Sequence, residues 1–189
     1  MKVRDSGMPE ENLWKSFFDV NNILSELEIN NQTRNIVEIG CGYGTFTIEV
    51  SKKIKGNIYA FDIDSQMIEH VKKKADNENI KNIILLQKDI LEETTLLPSS
   101  SIDYVMLFNI LHNEQPELFF KETFRILKKS GKIGIIHWRC DIYTPRGPDL
   151  NIRLKPEEIM NLIDFEKFKI IKQEFILEPY HFGILLSKK

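Results

Sequence analysis

Three glycines in five positions, Gly40, Gly42 and Gly44, separate the short predicted strand 35–39 from the helical spacing Phe46, Val50 and Ile54. A strand that turns into a helix through such a run leaves its backbone bare. Glycine lets a ligand approach the main chain, and the first N–H groups of the helix have no partner of their own. The spacing narrows the fit. A dinucleotide fingerprint needs GxGxxG, but the third position holds Thr45 counted from Gly40 and Thr47 counted from Gly42. No stretch matches the phosphate loop GxxxxGK[ST]. The pattern is GxGxG, with an acid, Glu38, just before it.

The rest of the chain repeats the strand–helix unit. Strands are predicted over 35–39, 57–63, 82–86, 102–108 and 132–137, from near-continuous apolar runs. Between them lie helices marked by Met67, Ile68, Val71 and Ala75, capped by Asp64 or Ser65, and by Phe119, Phe120, Phe124 and Leu127. The latter opens at Pro116 and stops at Ser130-Gly131. This alternation means α/β, a parallel sheet covered on both faces. Two last strands, 168–177 and 180–187, are separated only by Glu178-Pro179 and predict an antiparallel hairpin. Residues 1–12 read as a mobile arm. Leu13, Trp14, Phe17 and Phe18 share one helical face, and Ile23, Leu24 and Leu27 a second, with Asp19 as N-cap. The expected division is an N-terminal arm with short helices over 1–32, as a cap or lid, and a main domain over 33–189.

Glu38-Ile39-Gly40-Cys41-Gly42-Tyr43-Gly44 resembles the first motif of class I S-adenosylmethionine (SAM)-dependent methyltransferases. The resemblance extends over roughly 33–187. It implies a three-layer α/β/α Rossmann-like fold with a seven-stranded mixed sheet ending in an antiparallel terminal hairpin, and SAM as cofactor, with S-adenosylhomocysteine as its product. It also implies roles for residues. Glu38 binds the ligand's amino group, Gly40, Cys41, Gly42 and Gly44 form the loop, and Asp62 takes the ribose hydroxyls. Ile63 and Met67 pack on the adenine, Asp89 accepts from its amino group, Ile90 flanks the ring, and Asn109 faces the methionine part. Unpartnered, a buried Glu38 would carry a large desolvation cost, so its placement itself suggests a cationic ligand.

The reaction implied is methyl transfer to a small-molecule acceptor. His112, past the fourth strand, and His137, ending the fifth, point to the same rim and suit proton acceptance. The bland alternative is histidines satisfied by backbone. Trp138, Arg146, Arg153, Tyr180 and His181 are the candidate acceptor contacts, with the two arginines suited to a carboxylate or phosphate. His137-Trp138-Arg139 resembles the small-molecule methyltransferases of the quinone-biosynthesis and arsenite-methylating groups. Arsenite methylation relies on several cysteines, and the chain has 2.

Two cysteines and no CxxC exclude a disulfide framework and give no metal site. No apolar run reaches membrane-span length and no signal-type segment opens the chain, which predicts a cytoplasmic protein. A net charge of −2 argues against a nucleic-acid partner, and the lysine clusters read as solvated helix ends. A homodimer is left open. Two other functions share these features: an NAD(P)-dependent oxidoreductase, and a non-catalytic SAM-binding regulatory subunit.

Overall fold

The computed structural model describes residues 8–189. After helices α1 (Glu11–Lys15) and α2 (Val20–Glu26) come β1 (Ile36–Ile39), α3 (Thr45–Lys53), β2 (Ile58–Asp62), α4 (Ser65–Asn77), β3 (Ile83–Gln87), α5 (Ile90–Glu93), β4 (Ile102–Phe108) and α6 (Pro116–Ile126). β5 (Leu127–Trp138), α7 (Pro156–Asn161), β6 (Phe168–Leu177) and β7 (His181–Lys188) complete the order. The seven strands form one sheet in the order β3-β2-β1-β4-β5-β7-β6. β1 to β5 are parallel, and β7 runs antiparallel to β5 and to β6. This is the mixed sheet with a terminal hairpin that the sequence predicts.

Alternate residues of each strand face different layers. Phe46 and Val50 of α3 and Leu24 of α2 cover one face, over Ile58, Met106 and Ile136. Phe119, Phe120 and Ile159 from α6 and α7 cover the other, over Val37, Val105 and Ile135. α4 extends the first face through Val71 and Ala75, against Cys41 and Ala60. The chain leaves β1 toward one edge and returns at β4 to fill the other half. Neighbouring strands β1 and β4 therefore diverge in connection at their carboxyl ends, where open α/β sheets bind ligands.

Four local expectations need correction. Residues 1–7 of the predicted arm lie outside the described residues. The remainder is placed: Pro9 is buried and α1 begins at Glu11. α1 ends at Lys15, so Phe17 and Phe18 lie beyond it, both buried, while Leu13 is exposed. Helix α6 stops at Ile126 rather than Ser130. Leu127 turns extended (φ −66, ψ 137) and pairs with Ile102. Gly131 belongs to the irregular start of β5, where a Cβ would come within 2.9 Å of the Lys128 carbonyl oxygen. Lys128 and Lys132 are thus strand residues, paired with Asp103 at 2.7 Å and Glu28 at 2.6 Å rather than standing free at a helix end. Finally, the short helix α5 was hidden from sequence periodicity by its single turn.

Candidate functional site

β1 delivers the glycine loop. Gly40, Gly42 and Gly44 adopt φ of 79°, 49° and 74°, the left-handed region that side chains resist. A Cβ at Gly44 would lie 2.9 Å from Val71 Cγ2, and one at Gly40 3.2 Å from Ile110 Cδ1. The N–H groups of Gly40 and Cys41 both donate to Phe61 O at the end of β2. Gly42 N–H donates to Asp62 Oδ2 (2.8 Å), and Asp64 N–H to Asp62 Oδ1 (2.9 Å). Asp62 therefore shapes the loop from below while keeping a second lone pair on each oxygen. Burial raises its pKa. Gly44 is the N-cap of α3 and offers no side-chain cap, which leaves the first N–H groups of the helix toward the loop.

Glu38 is the most unusual group of the site. It is 2% exposed, and the Thr47 hydroxyl donates to its Oε2 at 2.5 Å. Burial pushes its carboxyl up to about 8; the Thr47 bond opposes this and the nearby Asp62 adds to it. A neutral carboxyl at pH 7 becomes a carboxylate when a cation arrives. Thr47 was not singled out from the sequence. Its one signal is a hydroxyl between Phe46 and Ile48, on the buried face of α3. Cys41 is buried against Ile48 and Val71, and burial raises its thiol far above the usual range, so it is a packed neutral thiol.

Beyond β2, Ile63 is exposed and Met67 half-buried, an apolar pair left open at the strand end. Asp89 caps α5, accepting from Leu91 N–H at 2.9 Å. Ile90 turns into the core of the opposite face.

At the end of β4, Asn109 has φ 52°, and its Oδ1 is buried with no donor among the described residues. Its Nδ2 lies 3.2 Å from Nε2 of His181. His112 and His137 lie with rings nearly parallel (12°) and centroids 6.0 Å apart. Leu154 N–H donates to His137 Nε2 at 3.3 Å, and burial, with His112 next, holds His137 down to about 3. A neutral imidazole has one lone-pair nitrogen, and that of His137 is already engaged.

The remaining candidates divide. Trp138 and His181 are buried together, ring centroids 4.3 Å apart, with Tyr180 stacked on Trp138 at 6.4 Å. Phe17 and Phe18 close over them. Arg153 lies over Trp138 and donates to the carbonyls of Pro148, Arg139 and Arg146, bracing its own loop. Arg146 is exposed and meets this cluster through its carbonyl. Among the described residues no group of three or more His, Cys, Asp or Glu could hold a metal ion, and no helix is long and apolar enough to cross a membrane.

The profile of the methyltransferase-domain family matches residues 36–131 of this chain, from β1 into the start of β5. The chain belongs to the methyltransferase-domain family. SAM is this family's cofactor, and the alternative of a nicotinamide-dependent oxidoreductase falls with the assignment. Among relatives, the demethylmenaquinone methyltransferase of Lactobacillus johnsonii is 31% identical over 53% of this chain and 42% of its own length. The ubiquinone/menaquinone biosynthesis C-methyltransferase of Rickettsia typhi is 29% identical over 64% of this chain and 48% of its own. The chain thus spans less than half the length of either. A SAM-dependent methyltransferase from Aquifex aeolicus shares the fold, with a TM-score of 0.83 at 21% identity over 95% of this chain and 94% of that one.

The methyltransferase loop fits the cofactor on this chain's own terms. Three left-handed glycines leave the loop backbone without side chains of its own, Asp62 retains acceptor capacity for a diol, and Glu38 is a buried acid that meets a hydroxyl and, among the described residues, no cation.

Proposed function

We propose that this protein is a cytoplasmic methyltransferase that moves a methyl group from SAM to a small-molecule acceptor. Bound SAM supplies a sulfonium carbon already activated for displacement. What the chain adds is placement. Glu38 is proposed to take the ammonium group, Asp62 the ribose hydroxyls, Asp89 the adenine amino group, and Ile63 with Met67 the adenine face. Gly40 to Gly44 would hold the ligand against the main chain. The observation that carries this reading is Glu38, a buried acid with a pKa near 8 beside three left-handed glycines. Such a group is costly to maintain unless a cation binds there.

On the acceptor side, His112 is the proposed proton acceptor. His137 supports it by ring contact, because its own lone pair is held by Leu154. Trp138 and Tyr180 are the proposed acceptor contacts, and residues 8–32 the proposed cap, since Tyr43 OH donates to Pro9 O (3.2 Å) and Glu11 pairs with His70 and Lys74. The small-molecule reading is supported by the two quinone-pathway relatives and by the aromatic character of this wall.

Thermal unfolding with SAM, S-adenosylhomocysteine, NADH and NADPH tests the cofactor. A ligand at about 100 times its Kd adds roughly 2.7 kcal/mol, and so about 5–10 °C in a domain of this size. A shift with the two SAM-type ligands alone is expected; no shift with either sinks the function.

A further inference from the structure

Asn109 combines three features that its neighbours within the sheet do not explain. Its backbone is left-handed, although its N–H remains tied to Ile136 O of β5 at 2.9 Å. Its Oδ1 is buried and meets no donor among the described residues, which is costly for a carboxamide. Its Nδ2 is directed to Nε2 of His181, 72 residues away in sequence.

His181 is held by ring packing, while its Nδ1 meets no hydrogen-bond partner among the described residues. It is fully buried, stacked on Phe18 (4.6 Å between centroids, 25°) and on Trp138 (4.3 Å, 44°). Burial first, and the charge of Arg153 second, bring its pKa down to about 3, so the ring is neutral wherever the protein works. A neutral ring meets the carboxamide in one of two ways: Nε2 accepts from the amide nitrogen with the ring proton on Nδ1, or Nε2–H donates to the amide oxygen. The first turns the amide nitrogen to the imidazole and its oxygen away from it, and is the arrangement assigned to the pair.

Resting on the function proposed above, we propose that His181 is a positioning residue. It fixes the Asn109 carboxamide so that Oδ1 accepts from the ammonium of the ligand's amino-acid end. The neighbourhood agrees. Ile110, next to Asn109, is the side chain nearest the Cβ position of Gly40, two residues beyond Glu38. Glu38 and Asn109 thus flank one end of the loop, a buried acid and a buried acceptor for one cation. His181 therefore touches Asn109 rather than the acceptor molecule.

Calorimetric titration of the wild type, N109A, H181F, H181Q and N109A/H181F tests this, with two probes. S-adenosylhomocysteine carries the amino-acid end, and 5′-methylthioadenosine lacks it. H181F is expected to lose about tenfold in affinity for the first, one charge-assisted hydrogen bond, and less than twofold for the second. H181Q, whose side-chain oxygen can accept from Asn109, recovers most of the loss. N109A/H181F binds no more weakly than N109A, because the two act as one unit. In the ligand-free wild type, ring 15N shifts place the His181 proton on Nδ1. Equal losses for both probes, additive losses in the double variant, or a proton on Nε2 each overturn the proposal. If H181F does not fold, H181Q and the ring tautomer decide. A wild type that binds neither probe overturns the function itself, and the tautomer then still judges the His181–Asn109 pair.

Discussion

At the scale of single residues, the site is a set of groups in states they would not choose in water. Glu38 titrates near 8 when folded, against about 4.3 in an unfolded chain. A raised acid supports folding below its unfolded pKa and loses that support as pH rises through the folded one. Glu38 therefore withdraws stability between about pH 4.5 and 8.5, whereas His137 and His181, held down to about 3, add stability as pH rises to about 6.5, so the ligand-free protein is expected to lose stability between about pH 6.5 and 8.5. Glu38→Gln flattens that slope, melts higher than wild type at pH 8.5, and loses at least about tenfold in S-adenosylhomocysteine affinity. Melting curves at several pH values check the first part; coincident slopes would refute it. Binding of a cation to Glu38 at pH 7 also releases a proton. Heats of binding should thus differ between phosphate and Tris buffers, and equal heats would place the ammonium elsewhere. Gly44→Ala forces a side chain into φ 74° and to 2.9 Å from Val71. At about 1–2 kcal/mol for the left-handed backbone alone, Tm should fall by about 5 °C. Glu38 and the glycines were legible in the sequence because spacing encodes backbone shape. Thr47 and the His181–Asn109 pair were not, since nothing local says which distant side chain a hydroxyl or an imidazole will meet.

At the scale of elements, local signals served where they were strong and failed where tertiary pairing intervened. Asp19 and Asp64 cap α2 and α4 as their positions suggest. Ser130-Gly131 looked like a helix stop, yet Leu127 had already left the helix to pair with Ile102. Phe17 and Phe18 looked like a helical stripe, yet they lie past α1 and are fixed by the bridge of Phe18 to Pro179 and by rings of Phe46, Trp138 and His181. Phe17 and Phe18 thus anchor the segment by packing into the core. Phe18→Ala should cost about 3–5 kcal/mol and lower Tm by roughly 10 °C. A change under 3 °C would show that the segment detaches freely.

At the scale of the molecule, strand order decides which backbone is protected. β4 lies between β1 and β5, is buried along nearly its whole length, and should hold the slowest amide exchange. The loop over 141–149, largely exposed, should exchange fastest, and S-adenosylhomocysteine should slow the amides of Gly40 to Gly44. Exchange in β4 as fast as in the edge strand β6 would contradict this order. The sheet itself was readable because seven strands with alternating helices admit few arrangements. The closing of the site was not, because it joins Asn109 to His181 and Phe18 to Pro179 across most of the chain. That joining sets an order of assembly on the ribosome. The glycine loop and its acids need only the chain through β4, but the aromatic wall waits for β7. A nascent chain can therefore present a half-built cleft well before Asn109 finds its partner, and the wall proposed to face the acceptor is the last to be completed.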